Sequence, residues 1–293
     1  MLRIATLNFL MDTKRLRERI DLLVDTLEFE DLDFLCLQEV PGPERAGFYV
    51  GDVLSYKLGM DYKVIGQMKG AQNSYGNVTI SRHPVKTYEN HVDKRGSREH
   101  TQKDGQAPLL ATITVVDGRP VYVLNVHFPW GAAAEADRLS AASRVSAIAE
   151  RAVTRDSDPL VFLVGDLNCA PDSRTVRYLR GLDIDAQSGS TLWLDAWSEA
   201  GDHSQSGHTS GDPTYFAQAT AQSVRPLARP EQMPKRRIDY AMSYGWTWGG
   251  PGQPVAARTF GTETFLDPEL GELTVSDHKG LIADFWTPEP IEA

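Results

Sequence analysis

The stretch Pro159-Leu-Val-Phe-Leu-Val-Gly-Asp-Leu-Asn168 is the most informative part of this chain of 293 residues. Its apolar run, Pro159 to Val164, is short and rich in Val and Leu, which predicts a buried central strand. Asp166 and Asn168 follow two residues apart, so both side chains are expected to face the rim of the sheet. Because Asp and Asn also end strands in ordinary turns, the motif is informative only if the chain repeats it.

An apolar strand bordered by polar side chains recurs along the sequence. The polar residues next to such strands are Asn8, Gln38, Glu39, His127, Asp239, Asp277 and His278. Strand ends at one edge of a packed sheet are rigid platforms, so we expect these side chains to converge on one site.

The residue types at these positions suit one kind of chemistry. Carboxylates without a cysteine cluster favour Mg²⁺, Mn²⁺ or Ca²⁺ over a structural zinc. His127 and His278 can donate hydrogen bonds to a charged substrate or titrate near neutral pH. Together they indicate hydrolysis of a phosphate ester, in which a cation offsets the anionic charge and a carboxylate deprotonates the attacking water.

Six short motifs, in this order, resemble the endonuclease/exonuclease/phosphatase superfamily and span nearly the whole chain. They are Thr6-Leu7-Asn8, Leu37-Gln38-Glu39, Asn125-Val126-His127, Gly165-Asp166-Leu167-Asn168, Arg237-Ile238-Asp239-Tyr240 and Ser276-Asp277-His278. The resemblance implies the deoxyribonuclease I-like fold, an α/β (α+β) four-layer αββα sandwich with two mainly antiparallel packed sheets. No linker interrupts the chain, so we expect residues 1–293 to form a single domain.

The resemblance also implies a metal site. Glu39 would be the principal ligand, helped by Asn8 and Asp277, and the expected cation is Mg²⁺ with Mn²⁺ as a substitute. Asp166 could bind the metal instead of handling the water, and the sequence leaves these two roles open.

The remaining roles concern the water and the phosphate. By resemblance, Asp166 orients and deprotonates the water, and Asn168 donates a hydrogen bond to the scissile phosphate. His278 contacts the phosphate while Asp239 holds its other nitrogen, which favours the protonated ring. His127 is a second phosphate-facing group or a general acid for the leaving oxygen.

Composition limits the class of protein. Hydrophobic content of 41% and charged content of 24% are typical of a soluble globular chain, and no apolar run is long enough to span a bilayer. The first strand begins almost at Met1, so we expect no leader and a cytoplasmic location. The two cysteines, Cys36 and Cys169, are expected to pack as small apolar residues rather than form a bridge.

The net charge of −10 argues against broad electrostatic affinity for nucleic acid. A local basic stripe, Asp93 to Lys103, could serve a small footprint, although we favour a solvated loop there. Trp130 could stack on a ring or close over the core edge. Asn77 and Arg138 are expected to make ordinary polar contacts.

Local patterns predict the remaining elements. Apolar spacing predicts helices over 12–27, 48–58 and 133–153, and shorter helices near 173–179 and 193–200. Asp117-Gly118 predicts a hairpin turn between the strands 109–116 and 121–126. Residues Ala217 to Pro234 are expected to form a long loop beside the site.

The predicted function is a metal-dependent phosphodiesterase acting on nucleic acid or nucleotides, without an obligate protein partner. Leu7 and His127 depart from the pattern of abasic-site endonucleases, and Pro234 to Asp239 departs from that of inositol polyphosphate 5-phosphatases. The alternatives are a phosphomonoesterase on a small metabolite, a sphingomyelinase-like lipid headgroup phosphodiesterase, and an inactive binding module on the same fold.

Overall fold

A computed structural model describes residues 1–67, 75–91, 109–131, 133–184, 189–224, 234–245 and 249–288. The strands of the described chain are β1 Leu2–Asn8, β2 Phe34–Pro41, β3 Tyr62–Gln67, β4 Tyr75–Ser81, β5 Val85–His91, β6 Leu109–Val116, β7 Arg119–His127, β8 Leu160–Asp166, β9 Trp193–Asp195, β10 Asp239–Tyr244, β11 Pro254–Phe260, β12 Thr264–Asp267, β13 Gly271–Thr274 and β14 Gly280–Phe285. The helices are α1 Leu16–Leu27, α2 Pro43–Ala46, α3 Val50–Lys57, α4 Glu135–Arg155, α5 Arg174–Leu179, α6 Ala196–Ala200 and α7 Tyr215–Val224.

Two six-stranded sheets make up most of the fold. The first has the strand order β11-β14-β1-β2-β4-β3, and the second has the order β5-β6-β7-β8-β10-β9. Each sheet contains one parallel pair, β1 with β2 and β7 with β8, and its other described pairs are antiparallel. The prediction of mainly antiparallel sheets is therefore confirmed.

The sheets pack face to face through a shared apolar core, and helices cover their outer faces. Phe34 and Phe285 of the first sheet and Phe162 of the second meet in the central layer. Residues of α1 and α3 cover the first sheet, and residues of α4 and α5 cover the second. This arrangement confirms the predicted αββα sandwich, since each sheet needs an apolar partner on both faces.

Most locally predicted elements are present. Leu16, Ile20, Leu23 and Leu27 of α1 are buried along one face, as their spacing predicts. The turn between β6 and β7 has positive φ at Asp117 and Gly118 (50° and 78°), which matches the right-handed twist of the paired strands.

Two local predictions are wrong. Trp193–Asp195 forms the short strand β9 instead of starting a helix, because it pairs with the edge of β10. Residues 217–224 of the expected loop belong to α7, because Phe216 is buried against Leu10 and Leu273 and anchors that helix. The rest of that loop, 225–233, and the basic stripe 93–103 lie outside the described residues.

The two cysteines are buried and unbridged, as predicted. Burial raises the pKa of both thiols to about 12, so they pack as apolar groups rather than as nucleophiles. Within the described residues, no helix combines the length and the hydropathy needed to cross a bilayer.

Candidate functional site

The C-terminal ends of the two parallel strand pairs meet at one rim of the sandwich. β1 ends at Asn8 and β7 ends at His127, while Asp166 ends β8. Asn8 Nδ2 lies 3.3 Å from Glu39 Oε1 and 3.1 Å from Asp166 Oδ2, so this amide connects the carboxylates of the two sheets. The predicted convergence of these side chains is therefore present in the structure.

Glu39 is placed by a β-bulge. Between the pairs Leu37 with Val78 and Val40 with Gly76, two residues of β2 oppose the single residue Asn77 of β4. Glu39 itself has a φ of 52°, which is uncommon for a residue other than glycine. Bulges of this kind re-aim side chains near functional sites. The bulge directs Glu39 to the rim, while Gln38 donates to Asn125 Oδ1 between the sheets (2.8 Å).

Gly165 allows β7 and β8 to approach closely beside the site. Its φ is 133°, and an added Cβ would lie 2.0 Å from the carbonyl oxygen of Val126. No other residue fits without moving the backbone, because the obstacle is main chain rather than a flexible side chain. Glycine at this position lets Asp166 lie directly opposite His127 in the parallel register.

Asp166 is a buried carboxylate surrounded by donors. Oδ1 accepts from the Asn168 backbone N–H (2.7 Å), and Oδ2 accepts from the side-chain amides of Asn168 and Asn8 (3.1 Å each). His127 Nε2 lies 3.6 Å from both Asp166 Oδ2 and Glu39 Oε1. Burial, together with the nearby Asp239 carboxylate, raises the pKa of Asp166 to about 6.

His278 and Asp239 form a pair beside Asp166. His278 Nδ1 lies 3.0 Å from Asp239 Oδ2, and Asp239 lies opposite Asp166 in the β8–β10 register. Burial alone would lower the pKa of the His278 imidazole, but the Asp239 carboxylate raises it well above its ordinary value. This shift favours the protonated ring, and Nε2 is the ring nitrogen that Asp239 does not engage.

Asp277 lies at the edge of the group. Its carboxylate accepts hydrogen bonds from Thr220 of α7 (3.1 Å) and Ser276 (3.2 Å). The Ser276 hydroxyl is also 2.6 Å from the carbonyl oxygen of Asn8. Asp277 is thus linked to the centre through Ser276.

The two asparagines hold carboxylates rather than facing open space. Asn8 Oδ1 accepts from the Leu10 N–H (3.1 Å), so its NH₂ group is the end that faces Glu39 and Asp166. The Asn168 amide donates to Phe128 O (3.0 Å) and to Asp166. For Asn8 to bind a cation, or for Asn168 to reach a phosphate, one of these bonds must exchange.

The described residues contain one group of three potential metal ligands: Asp166, Asp239 and His278 offer atoms within 4.8 Å of one another. Asp239 Oδ1 is buried there without a hydrogen-bond partner among the described residues. A buried unpaired acceptor of this kind calls for a donor or a cation. Hard oxygen donors from Glu39, Asp166 and Asp239 suit Mg²⁺ or Mn²⁺, so the residues present fit the predicted type of cation.

The sequence did not identify the residues that hold the site segments in place. The Thr209 hydroxyl accepts from the backbone N–H groups of Ile238 (3.1 Å) and Asp239 (3.2 Å), which fixes the start of β10. The Asp195 carboxylate accepts hydrogen bonds from Nη1 and Nη2 of Arg237 (2.9 and 2.7 Å). Their motifs, Asp195-Ala196-Trp197 and Gly207-His208-Thr209, are visible in the sequence, but the contacts they make are not.

Arg19 of α1 is a fully buried cation that ties two site segments together. Its guanidinium donates to the carbonyl oxygens of Phe9 and Leu10, which follow Asn8, and to that of Val275 (2.7 Å). Burial lowers the pKa of Arg19 to about 10, and the Phe9 and Phe216 rings each lie 4.7 Å from the guanidinium carbon.

We expect Arg19→Met to lower the free energy of unfolding by about 2–4 kcal/mol, because it leaves several buried carbonyl groups without donors. Urea unfolding followed by circular dichroism measures this change. Arg17→Met, on the exposed face of the same helix, is the control and should cost less than about 1 kcal/mol. Equal midpoints for the two variants would contradict this structural role.

A sandwich of two sheets with carboxylates and imidazoles gathered at one rim defines the class of deoxyribonuclease I-like proteins. The sequence model of the endonuclease/exonuclease/phosphatase family matches residues 5–278, so the chain belongs to this family. No curated protein sequence matches the chain significantly.

Solved structures share the fold at low sequence identity. D. rerio TDP2, complexed with a single-strand DNA product, is 18% identical with a TM-score of 0.68, over 98% of this chain and 99% of that one. A beta toxin from Staphylococcus aureus is 17% identical with a TM-score of 0.69, over 97% of this chain and 99% of that one. A family member from Bacteroides vulgatus is 15% identical with a TM-score of 0.67, over 98% and 99% of the two chains.

Proposed function

We propose that this protein is a divalent-cation-dependent phosphodiesterase that hydrolyses a phosphodiester bond in a nucleic acid or nucleotide, with residues 1–293 acting as one domain. The observation that carries the proposal is the buried Asp166 carboxylate, which the Asn8 amide links to Glu39 and which lies in one group with Asp239 and His278. Membership of the endonuclease/exonuclease/phosphatase family supports the reaction class.

In this proposal Asp166 orients the attacking water and accepts its proton. A carboxylate with a pKa near 6 is a stronger base than an ordinary aspartate and is still ionised at neutral pH. Its hydrogen bonds from Asn8 and Asn168 fix the direction of its oxygens before substrate arrives.

His278 and His127 act on the phosphate. The protonated His278 donates from Nε2 to a phosphate oxygen, while Asp239 holds Nδ1. His127, midway between Glu39 and Asp166, is the second group at the phosphate and can protonate the leaving oxygen.

Glu39, helped by Asn8 and Asp277, would hold Mg²⁺, and Mn²⁺ could replace it. The Glu39 side chain is 18% exposed, so its carboxylate is accessible to a cation from solution. A bound cation would neutralise charge on the phosphate oxygens, which is the contribution that the side chains cannot supply.

Glu39→Gln is expected to raise the Mg²⁺ concentration for half-maximal rate at least tenfold, because an amide oxygen carries no net charge for the cation. Isothermal titration calorimetry in the absence of substrate should show the same weakening of Mg²⁺ and Mn²⁺ binding. Glu199→Gln removes an exposed carboxylate of α6 and serves as the control with unchanged cation dependence. Unaltered Mg²⁺ binding in Glu39→Gln would show that the cation lies elsewhere.

A substrate panel tests the reaction class. Plasmid DNA, single-stranded oligonucleotides, bis-(p-nitrophenyl) phosphate, sphingomyelin and sugar phosphates are compared with Mg²⁺, with Mn²⁺ and with EDTA. The proposal expects cation-dependent cleavage of diesters in nucleic acid. Cleavage of monoesters alone would establish a phosphomonoesterase, and cleavage of sphingomyelin alone a headgroup phosphodiesterase. Absence of all turnover would indicate an inactive binding module.

A further inference from the structure

Trp130 is a half-exposed aromatic residue three positions after His127. Its exposed fraction is 45%, whereas Phe128, two residues earlier, is 2% exposed and belongs to the core beneath α4. Phe128 therefore already fills the core at this point of the chain. The indole of Trp130 remains at the surface beside the site, where it is accessible to a ligand.

The backbone on both sides of Trp130 is held by a buried cation. Arg138 of α4 is buried, and its Nη1 donates to the carbonyl oxygens of Pro129 (2.9 Å) and Gly131 (2.8 Å). Arginine is almost never fully buried unless it is paired. These hydrogen bonds fix the main chain of the loop. The tryptophan ring takes no part in them.

Glu135 and Thr175 hold Arg138 in place. Glu135 Oε2 accepts from Arg138 Nη2 and Nε (3.0 and 3.2 Å), and Glu135 Oε1 accepts from the Thr175 backbone N–H and hydroxyl (2.8 and 3.0 Å). Although burial opposes it, these donors lower the pKa of the Glu135 carboxyl, so the anion persists at neutral pH.

The same loop is bonded to the reacting groups. The Phe128 N–H donates to Asp166 O (2.8 Å), and the Phe128 carbonyl accepts from Asn168 (3.0 Å). Three residues of chain span at most about 10 Å, so the Trp130 backbone lies within about 10 Å of that of His127. The backbone that carries Trp130 is thus held at a fixed place relative to the candidate phosphate position.

We propose that Trp130 is a stacking platform for an unpaired nucleobase next to the scissile phosphate, which makes single-stranded nucleic acid the preferred substrate class. This inference rests on the proposed phosphodiesterase function. An exposed indole on a fixed backbone offers a flat face, and bases in single strands have free faces that stack on aromatic side chains. In a duplex both faces of each base are already covered by its neighbours.

The test compares two single-stranded oligonucleotides, one with normal bases and one whose central residues are abasic tetrahydrofuran units. Affinities are measured with Asp166→Asn protein, so that binding is recorded without cleavage, and wild-type turnover is followed separately. We expect roughly tenfold tighter binding of the base-bearing strand, and we expect Trp130→Ala in the same background to abolish this preference. Trp130→Phe should restore most of it.

Trp286→Ala is the matched control. Trp286 is 36% exposed and directly follows β14, whose first residue is near His278, so it lies at the far end of that strand. This variant should keep the preference for bases. Equal affinity of the Asp166→Asn protein and the Asp166→Asn, Trp130→Ala protein for the base-bearing strand overturns the inference, as does an equal loss of affinity for both strands. Binding without any wild-type turnover instead refutes the proposed reaction and leaves the stacking result standing.

Discussion

Asp166→Asn protein is expected to lose roughly 10³-fold in kcat while staying folded. The change removes the group that accepts the proton from water, and a positioned base contributes about 10² to 10⁴ in rate. Initial rates on the best oligonucleotide substrate measure the loss. Asp172→Asn alters an exposed carboxylate on the loop after the same strand and should keep the parental rate. Parental turnover in Asp166→Asn would disprove the assigned role.

The same variant should melt at an equal or higher temperature than the parent at pH 7.5. Burial and Asp239 raise the pKa of Asp166 from 3.8 to about 6, so ionisation of Asp166 destabilises the folded state progressively between those two pH values and by the full amount above pH 6. An amide removes this penalty. In the protein kept with EDTA, the ¹³C signal of the Asp166 carboxyl should titrate near pH 6. A midpoint at or below 4 would contradict the effect of burial.

His278→Asn is expected to lower kcat by about 10² to 10³, the range found when one donor to a developing oxyanion is removed. The asparagine keeps a donor of smaller reach but loses the positive charge that Asp239 sustains in the imidazole. The loss should be largely in kcat, since charge on the phosphate oxygens increases toward the transition state.

Two further variants separate a catalytic from a structural effect of His278. Asp239→Asn keeps the hydrogen-bond geometry but removes the anion, so the pKa of His278 should fall and the alkaline limb of the rate profile should move to lower pH. His83→Asn is the control, since His83 pairs with Asp33 (2.7 Å) at the opposite end of β2 from Glu39. Equal rates in His278→Asn and His83→Asn would exclude a role at the phosphate.

Helices and turns were predictable where the sequence pattern that specifies them lies within a short stretch of chain. The apolar spacing of α1 and the Asp117-Gly118 turn needed no distant partner, and both are present. β9 and α7 were missed because each depends on a distant partner. β9 exists through its pairing with β10, and α7 is anchored where Phe216 meets Leu10 and Leu273.

The convergence of the candidate site residues was predictable, but their contacts with one another were not. Asp166 and His278 were identified from strand ends and from the order of the motifs. The amide of Asn8 was expected to bind a cation, whereas in the structure its NH₂ faces Glu39 and Asp166. Which end of an amide faces a carboxylate depends on a backbone N–H two residues away, that of Leu10, and no sequence pattern records it.

The sequence by itself determined most of the strands, the polar residues at their ends and the family. Only the tertiary structure decided which groups touch: His278 with Asp239, Glu39 re-aimed by a bulge, and Asp166 buried enough to raise its pKa to about 6. Apolar periodicity is a local property of the chain, whereas desolvation and pairing arise from residues far apart in sequence that share a few ångströms of space.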